Sequence, residues 1–117
     1  MTAIPTDIPG ADELEGKGVY RGMPKSVPQP VRNRRAVIVG TPEECAAAAR
    51  QLGDAGWKVT IVTRERCSWR HVRRDYGYRG GTELVCASGI ESLEALVLRR
   101  IASRRIEAFD ASALFIL

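Results

Sequence analysis

Between Arg35 and Thr63 the chain passes from a short apolar run to an amphipathic stretch and back to an apolar run. Ala36 to Val39 (AVIV) is continuous and largely β-branched, the pattern of a strand buried on both faces. Thr41 then offers an N-cap, Pro42 suits the first helical position, and Glu44 stands three residues after Thr41, which completes a capping box. Cys45, Ala48, Ala49 and Leu52 recur at helical spacing on one stripe, and Gly56 is a C-terminal stop, so the spacing predicts a helix over Pro42 to Ala55. Lys58 to Val62 (KVTIV) is a second strand. Strand, helix and strand in this order make a βαβ unit with parallel strands and a right-handed crossover. These two strands are expected at the centre of the sheet, with the helix on one face.

Outside this unit the pattern is less regular. Residues 1–34 hold every proline except Pro42, show no sustained period, and read as an extended arm or linker that adds little core. Residues 35–117 then form the domain. Arg64 to Gly81 is basic and glycine-containing and reads as a loop. Thr82 to Ala87, Leu93 to Arg99, Arg104 to Phe109 and Ala113 to Leu117 are further strands, the last of them apolar and ending the chain. The fold class expected is α/β: a Rossmann-like βαβ with parallel central strands followed by a β-meander, in three layers.

A βαβ of this kind binds a dinucleotide through GxGxxG or GxGxxA after its first strand, where the glycines serve the tight turn, the approach to the pyrophosphate and the packing of helix on strand. Here those positions are Gly40, Pro42 and Cys45. Pro42 brings a ring and no N–H to the point of closest phosphate approach. A helix N-terminus favours anions, but Glu43 and Glu44 already place carboxylates there. A carboxylate about 5 Å from a phosphate charge costs roughly 1 kcal/mol in a water-like dielectric and about 3 kcal/mol at an effective dielectric near 20. After the second strand, NAD sites commonly carry an acid and NADP sites an arginine; this chain has Thr63, Arg64 and Glu65, which favours NADP. NADP(H) is therefore the nucleotide expected, bound weakly.

Composition narrows the remaining choices. With 117 residues, 44% hydrophobic and 27% charged, the chain has one domain's worth of sequence. No apolar run approaches the ~18 residues of a membrane span, and no secretory signal opens the chain, so a cytoplasmic protein is expected. Cys45, Cys67 and Cys86 are widely spaced and form no CxxC pair, which argues against a disulfide framework, a zinc site or a dithiol centre. Cys45 and Cys86 read as core residues, and Cys67, among Arg64, Arg66 and Arg70, as a weak nucleophile candidate. His71 has no evident ligand or catalytic partner. The net charge of +4 is local: Arg64, Arg66, Arg70, Arg73, Arg74 and Arg79 lie close together, interleaved with Trp69, Tyr76 and Tyr78. This leaves a second reading, a small basic module that contacts nucleic acid or an acidic protein through the Arg64 to Arg79 loop. A third is a remnant that pairs with another subunit through an open edge near Leu117.

The order of features resembles the pyridine-nucleotide domain of thioredoxin reductase-like, FAD-dependent pyridine nucleotide-disulfide oxidoreductases. GKGVYRG (Gly16 to Gly22) is similar to the segment leading into that domain, AVIVGTPEECAAAARQL (Ala36 to Leu52) to a VVGGGxSAxEEAxxL pattern, and VTIVTR (Val59 to Arg64) to VTLIHR. LEALVLRR and ASALFIL stand where the family has its late meander and final strand. The resemblance implies a flavoprotein oxidoreductase whose NAD(P)H-binding domain delivers hydride to a flavin on a separate domain. By position it places Gly40 and Thr41 at the pyrophosphate and Arg64, with Arg70, at the 2′-phosphate. YRGMPK (Tyr20 to Lys25) lacks the family's CxxC, and Thr63 replaces its usual histidine. The expectation is a fragmentary NAD(P)H-binding domain with no catalytic residue or metal ligand of its own. FAD would come only through a missing domain or a flavin-domain partner; a homo-oligomer is the other expected partner, and nucleic acid is not expected.

Overall fold

The computed structural model describes residues 8–28, 34–65 and 77–117. Its elements are β1 (Val19–Arg21), β2 (Arg35–Val39), α1 (Pro42–Asp54), β3 (Lys58–Val62), β4 (Gly77–Arg79), β5 (Thr82–Ser88), β6 (Ala95–Arg100), β7 (Ile106–Asp110) and β8 (Ala113–Ile116). The parallel sheet has the order β1-β8-β2-β3-β4, and β5, β6 and β7 form an antiparallel meander. β2 and β3 pair in parallel from Arg35 opposite Lys58 to Val39 opposite Val62, and β2 lies at the middle of the sheet.

Alternation along the strands builds the three layers. Ala36 and Ile38 face Cys45, Ala48, Ala49 and Leu52 of α1, whereas Val37 and Val39 face the other way, toward Leu93, Leu96 and Leu98 of the meander side. Every residue from Ala36 to Val39 is therefore buried, which explains the unbroken apolar run. α1 ends on Gly56 at φ +98°, where Trp57 N–H donates to Leu52 O (3.0 Å) and Gly56 N–H to Gly53 O (3.1 Å). These two bonds make a Schellman stop, which a residue with a Cβ would strain.

Several expectations are corrected. The segment before residue 34 contributes core: Ile8, Ala11, Leu14 and Val19 are buried with the meander, and β1 adds a strand beside β8. On the other face Met23 and Val27 pack on the helix-side cluster, and Trp57 Nε1 donates to Pro28 O (2.8 Å). Part of the basic loop is a strand, since Gly77–Arg79 pairs in parallel with β3. Thr41 is the N-cap but makes no side-chain capping bond, so the capping box does not close. Arg104 lies outside β7, in the turn that precedes it, at φ +58°. Cys86 is half-buried in β5 instead of in the core. The last strand is not an edge, because β8 is hydrogen-bonded to β1 on one side and β2 on the other; among the described residues the outer strands of this sheet are β1 and β4. Leu117 thus offers no free strand edge to another subunit. No helix among the described residues is long and apolar enough to cross a membrane.

Cys45 sits fully buried between α1 and β2, and burial, then the neighbouring Glu44 carboxylate, pushes its thiol up to about 12 from an ordinary value of 9.0. The folded chain thus keeps a proton that the unfolded chain releases, so this contribution to stability is fully present below about pH 9 and is lost as pH rises toward 12. The urea midpoint of the wild type is expected to fall more steeply between pH 8 and pH 11 than that of Cys45→Ala. Parallel pH profiles for the two chains would refute the assignment.

Candidate dinucleotide crevice at the carboxyl ends of the parallel strands

In open α/β sheets ligands bind beyond the carboxyl ends of the strands, where the chain order reverses direction. Here that point lies between β2, which leads through α1 to β3 on one side, and β8, which returns on the other. Gly40 follows β2 directly, and Leu117 follows β8. Leu117 N–H donates to Val39 O (2.9 Å), and a Cβ built on Gly40 would come within 3.0 Å of Leu117 Cβ and 3.5 Å of Cys45 Sγ. Gly40 therefore lets the two strand ends and the first turn of α1 close on one another. Cys45 occupies the position of the third glycine in a GxGxxG turn and fills the gap between helix and strand with its buried thiol.

Thr41 is extended (φ −73°, ψ 153°), and its carbonyl accepts the first helical bond from Cys45 N–H (3.0 Å). With no capping side chain, the N–H groups of Glu43 and Glu44 remain for an anion or water, and Pro42 has none to offer. The carboxylates of Glu43 and Glu44 are exposed in the same turn. The turn therefore has the backbone shape of an anion site and the wrong charge around it.

The turn after β3 is held by bonds that the sequence did not signal. Thr63 is buried; its hydroxyl donates to Glu65 O (3.0 Å) and lies 3.1 Å from Tyr78 Oη. Thr63 N–H donates to Arg79 O (3.1 Å), Thr82 N–H to Thr63 O (3.0 Å) and Gly81 N–H to Glu65 O (3.3 Å), so the β3 and β4 ends are laced together. Arg64 is exposed at this rim, but its Nη2 lies 3.7 Å from Glu83 Oε2. Glu83 is shared: its Oε1 also accepts from Arg99 Nε (2.8 Å) and Nη2 (2.5 Å). A phosphate at Arg64 would compete with Glu83 for that guanidinium. Gly40 and Thr41 thus sit at the strand-end crevice, Arg64 at the end of the adjacent strand, and Arg70 lies outside the described residues. So do Cys67, Trp69, His71, Arg73, Arg74 and Tyr76, and with them most of the basic-module reading.

The fold is similar to part of solved thioredoxin reductases. The chain superposes on the enzyme from Lactococcus lactis with a TM-score of 0.76 and 16% identity, over 98% of this chain and 41% of that one. For the enzyme from Giardia duodenalis the values are 0.74 and 20%, over 99% and 40%. For a thioredoxin reductase from Gloeobacter violaceus they are 0.73 and 21%, over 96% and 36%. This chain thus spans about two fifths of the length of the proteins it resembles. No protein-family model and no curated protein matches it in sequence.

Proposed function

We propose that the chain is the NAD(P)H-binding domain of a thioredoxin reductase-like flavin oxidoreductase, with FAD supplied by another domain or a partner and no catalysis by these residues alone. The observation that carries this reading is the crevice between β2 and β8, where Gly40 lets Leu117, Cys45 and the N-terminus of α1 close together. The superposition on thioredoxin reductases supports it. In such a domain Gly40 and Thr41 line the pyrophosphate and Arg64 meets the 2′-phosphate. The nucleotide supplies hydride; the chain's part is to hold and orient it. Pro42, Glu43 and Glu44 weaken that hold by removing one donor and adding repulsion.

NADPH fluorescence titration tests the reading. The wild type is expected to bind weakly, and Pro42→Gly combined with Glu43→Gln is expected to bind at least about tenfold more tightly, since one charge at ~5 Å accounts for a decade or more. Adding Arg64→Ala should weaken NADPH more than NADH, which lacks the 2′-phosphate. Because Glu83 already holds Arg64, removal of that carboxylate by Glu83→Gln should instead favour NADPH. A double variant that binds neither nucleotide removes the reading.

A further inference from the structure

On the meander side of the sheet, away from α1, a cleft of about 190 Å³ is lined by Arg79, Thr82, Leu98, Arg100, Arg105 and Glu107. Three arginines and one glutamate therefore line it. Glu107 Oε1 is bound to Arg79 Nη2 at 3.1 Å, and among the described residues Arg100 and Arg105 have no acidic partner. Glu83, a half-buried carboxylate of β5, is engaged by Arg99 and Arg64.

The backbone forces the two unpartnered arginines together. Arg100 N–H donates to Arg105 O (2.9 Å), so they stand opposite one another where β6 turns into β7. Like charges placed opposite across strands destabilise a sheet. The turn that joins them is itself strained, with Arg104 at φ +58° and its N–H bonded to Arg100 O (2.7 Å). A strained turn that sets two arginines without an acidic partner opposite one another at a cleft favours an anion there. Guanidinium forks match the oxygens of phosphate in bidentate fashion, and they do so best where several converge. The cleft is several times the roughly 30 Å³ share of a water, and Leu98 gives it an apolar wall, so it has room for more than a bare oxyanion.

We propose that this cleft is a second anion site, separate from the strand-end crevice, which takes the phosphate group of a small phosphate monoester between Arg79, Arg100 and Arg105. Calorimetric titration at constant ionic strength with inorganic phosphate and with glycerol 3-phosphate tests it. Both are expected to saturate at one per chain, the monoester several-fold more tightly. Arg100→Ser with Arg105→Ser should weaken both at least tenfold, whereas Arg50→Ala on the exposed face of α1 should leave them unchanged. In chloride buffer that double variant should melt no lower than the wild type, because a repulsion has been removed; this separates loss of binding from loss of fold. NADH, which carries no phosphate monoester, should not displace the phosphate, and Arg64→Ala should not alter it, so the site stands or falls independently of the nucleotide reading. Absence of saturable binding, equal affinity for the two probes, displacement by NADH, or unchanged binding in the double variant would each overturn the assignment.

Discussion

A chain begun at Arg34 is expected to lose cooperative unfolding. Ile8, Leu14 and Val19 are 6%, 4% and 0% exposed, and Ala11 lies fully buried beside them. At about 1.5–3 kcal/mol for each large side chain, their burial contributes on the order of 5–9 kcal/mol as an upper value. That is comparable with the whole stability of an ordinary domain, about 5–15 kcal/mol. The segment is also tied down by its backbone: Ala87 N–H donates to Pro9 O (2.9 Å), Leu93 N–H to Lys17 O (2.9 Å), Leu114 N–H to Gly18 O (2.7 Å) and Gly22 N–H to Ile116 O (2.7 Å). Its removal strips one side of β8 and leaves the N–H groups of Ala87, Leu93 and Leu114 and the carbonyl of Ile116 without these partners. Gly18 shows how close the fit is. Its φ is +111°, and a Cβ there would approach Leu93 Cβ to 2.8 Å and Ser112 O to 2.9 Å. The shortened chain should show a broad urea transition and a weakened near-ultraviolet spectrum, and Leu14→Ala in the full chain should cost about 2–5 kcal/mol. A sharp transition with an undiminished m-value in the shortened chain would refute this.

That segment was also what the sequence concealed most fully, and the cause is physical. β2, α1 and β3 announce themselves because each buries a face with its own period, and because Pro42 and Gly56 mark the helix ends. Ile8, Ala11, Leu14 and Val19 follow no such period: they reach the core through turns and through hydrogen bonds to residues some seventy or more positions away, such as Pro9 to Ala87. β4 was hidden for a related reason, since Gly77–Arg79 is three residues long and is a strand only by virtue of pairing with β3. The same holds for chemistry. Gly40 and Thr41 were legible because strand and helix place them at one turn. The cleft of Arg79, Arg100 and Arg105 was not, because it joins the end of β4 to both ends of the β6–β7 turn, and a run of arginines gives no sign of which ones converge. Thr41 shows the opposite failure. Its position predicted a closed cap, yet its side chain makes no such bond, which leaves the first-turn amides of α1 open.

Phe115→Ala is expected to cost about 3–5 kcal/mol, the usual range for a buried phenylalanine. Phe115 is fully buried on the helix side of β8, between Tyr20 of β1 and Ile38 of β2 in the sheet register. Its ring stacks on Tyr20 with centroids 5.1 Å apart and 17° between planes. Its loss therefore opens a void beneath α1 and also ends an aromatic contact that holds the edge strand, worth about 0.5–1.5 kcal/mol beyond area burial. On a domain of this size the melting temperature should fall on the order of 10–25 °C. Phe115→Leu should cost less than half as much, because it keeps most of the volume, whereas Phe109→Ala, on the half-exposed meander, should cost less than Phe115→Ala. The effect should reach the nucleotide crevice, since Leu117, two residues further on, is fixed by its bond to Val39 and by its contact at Gly40. In the Pro42→Gly, Glu43→Gln background, Phe115→Leu is thus expected to weaken NADPH binding while the chain remains folded. A loss of stability below about 1 kcal/mol for Phe115→Ala would mean that β8 is not clamped between β1 and β2, and the crevice would lose one of its walls.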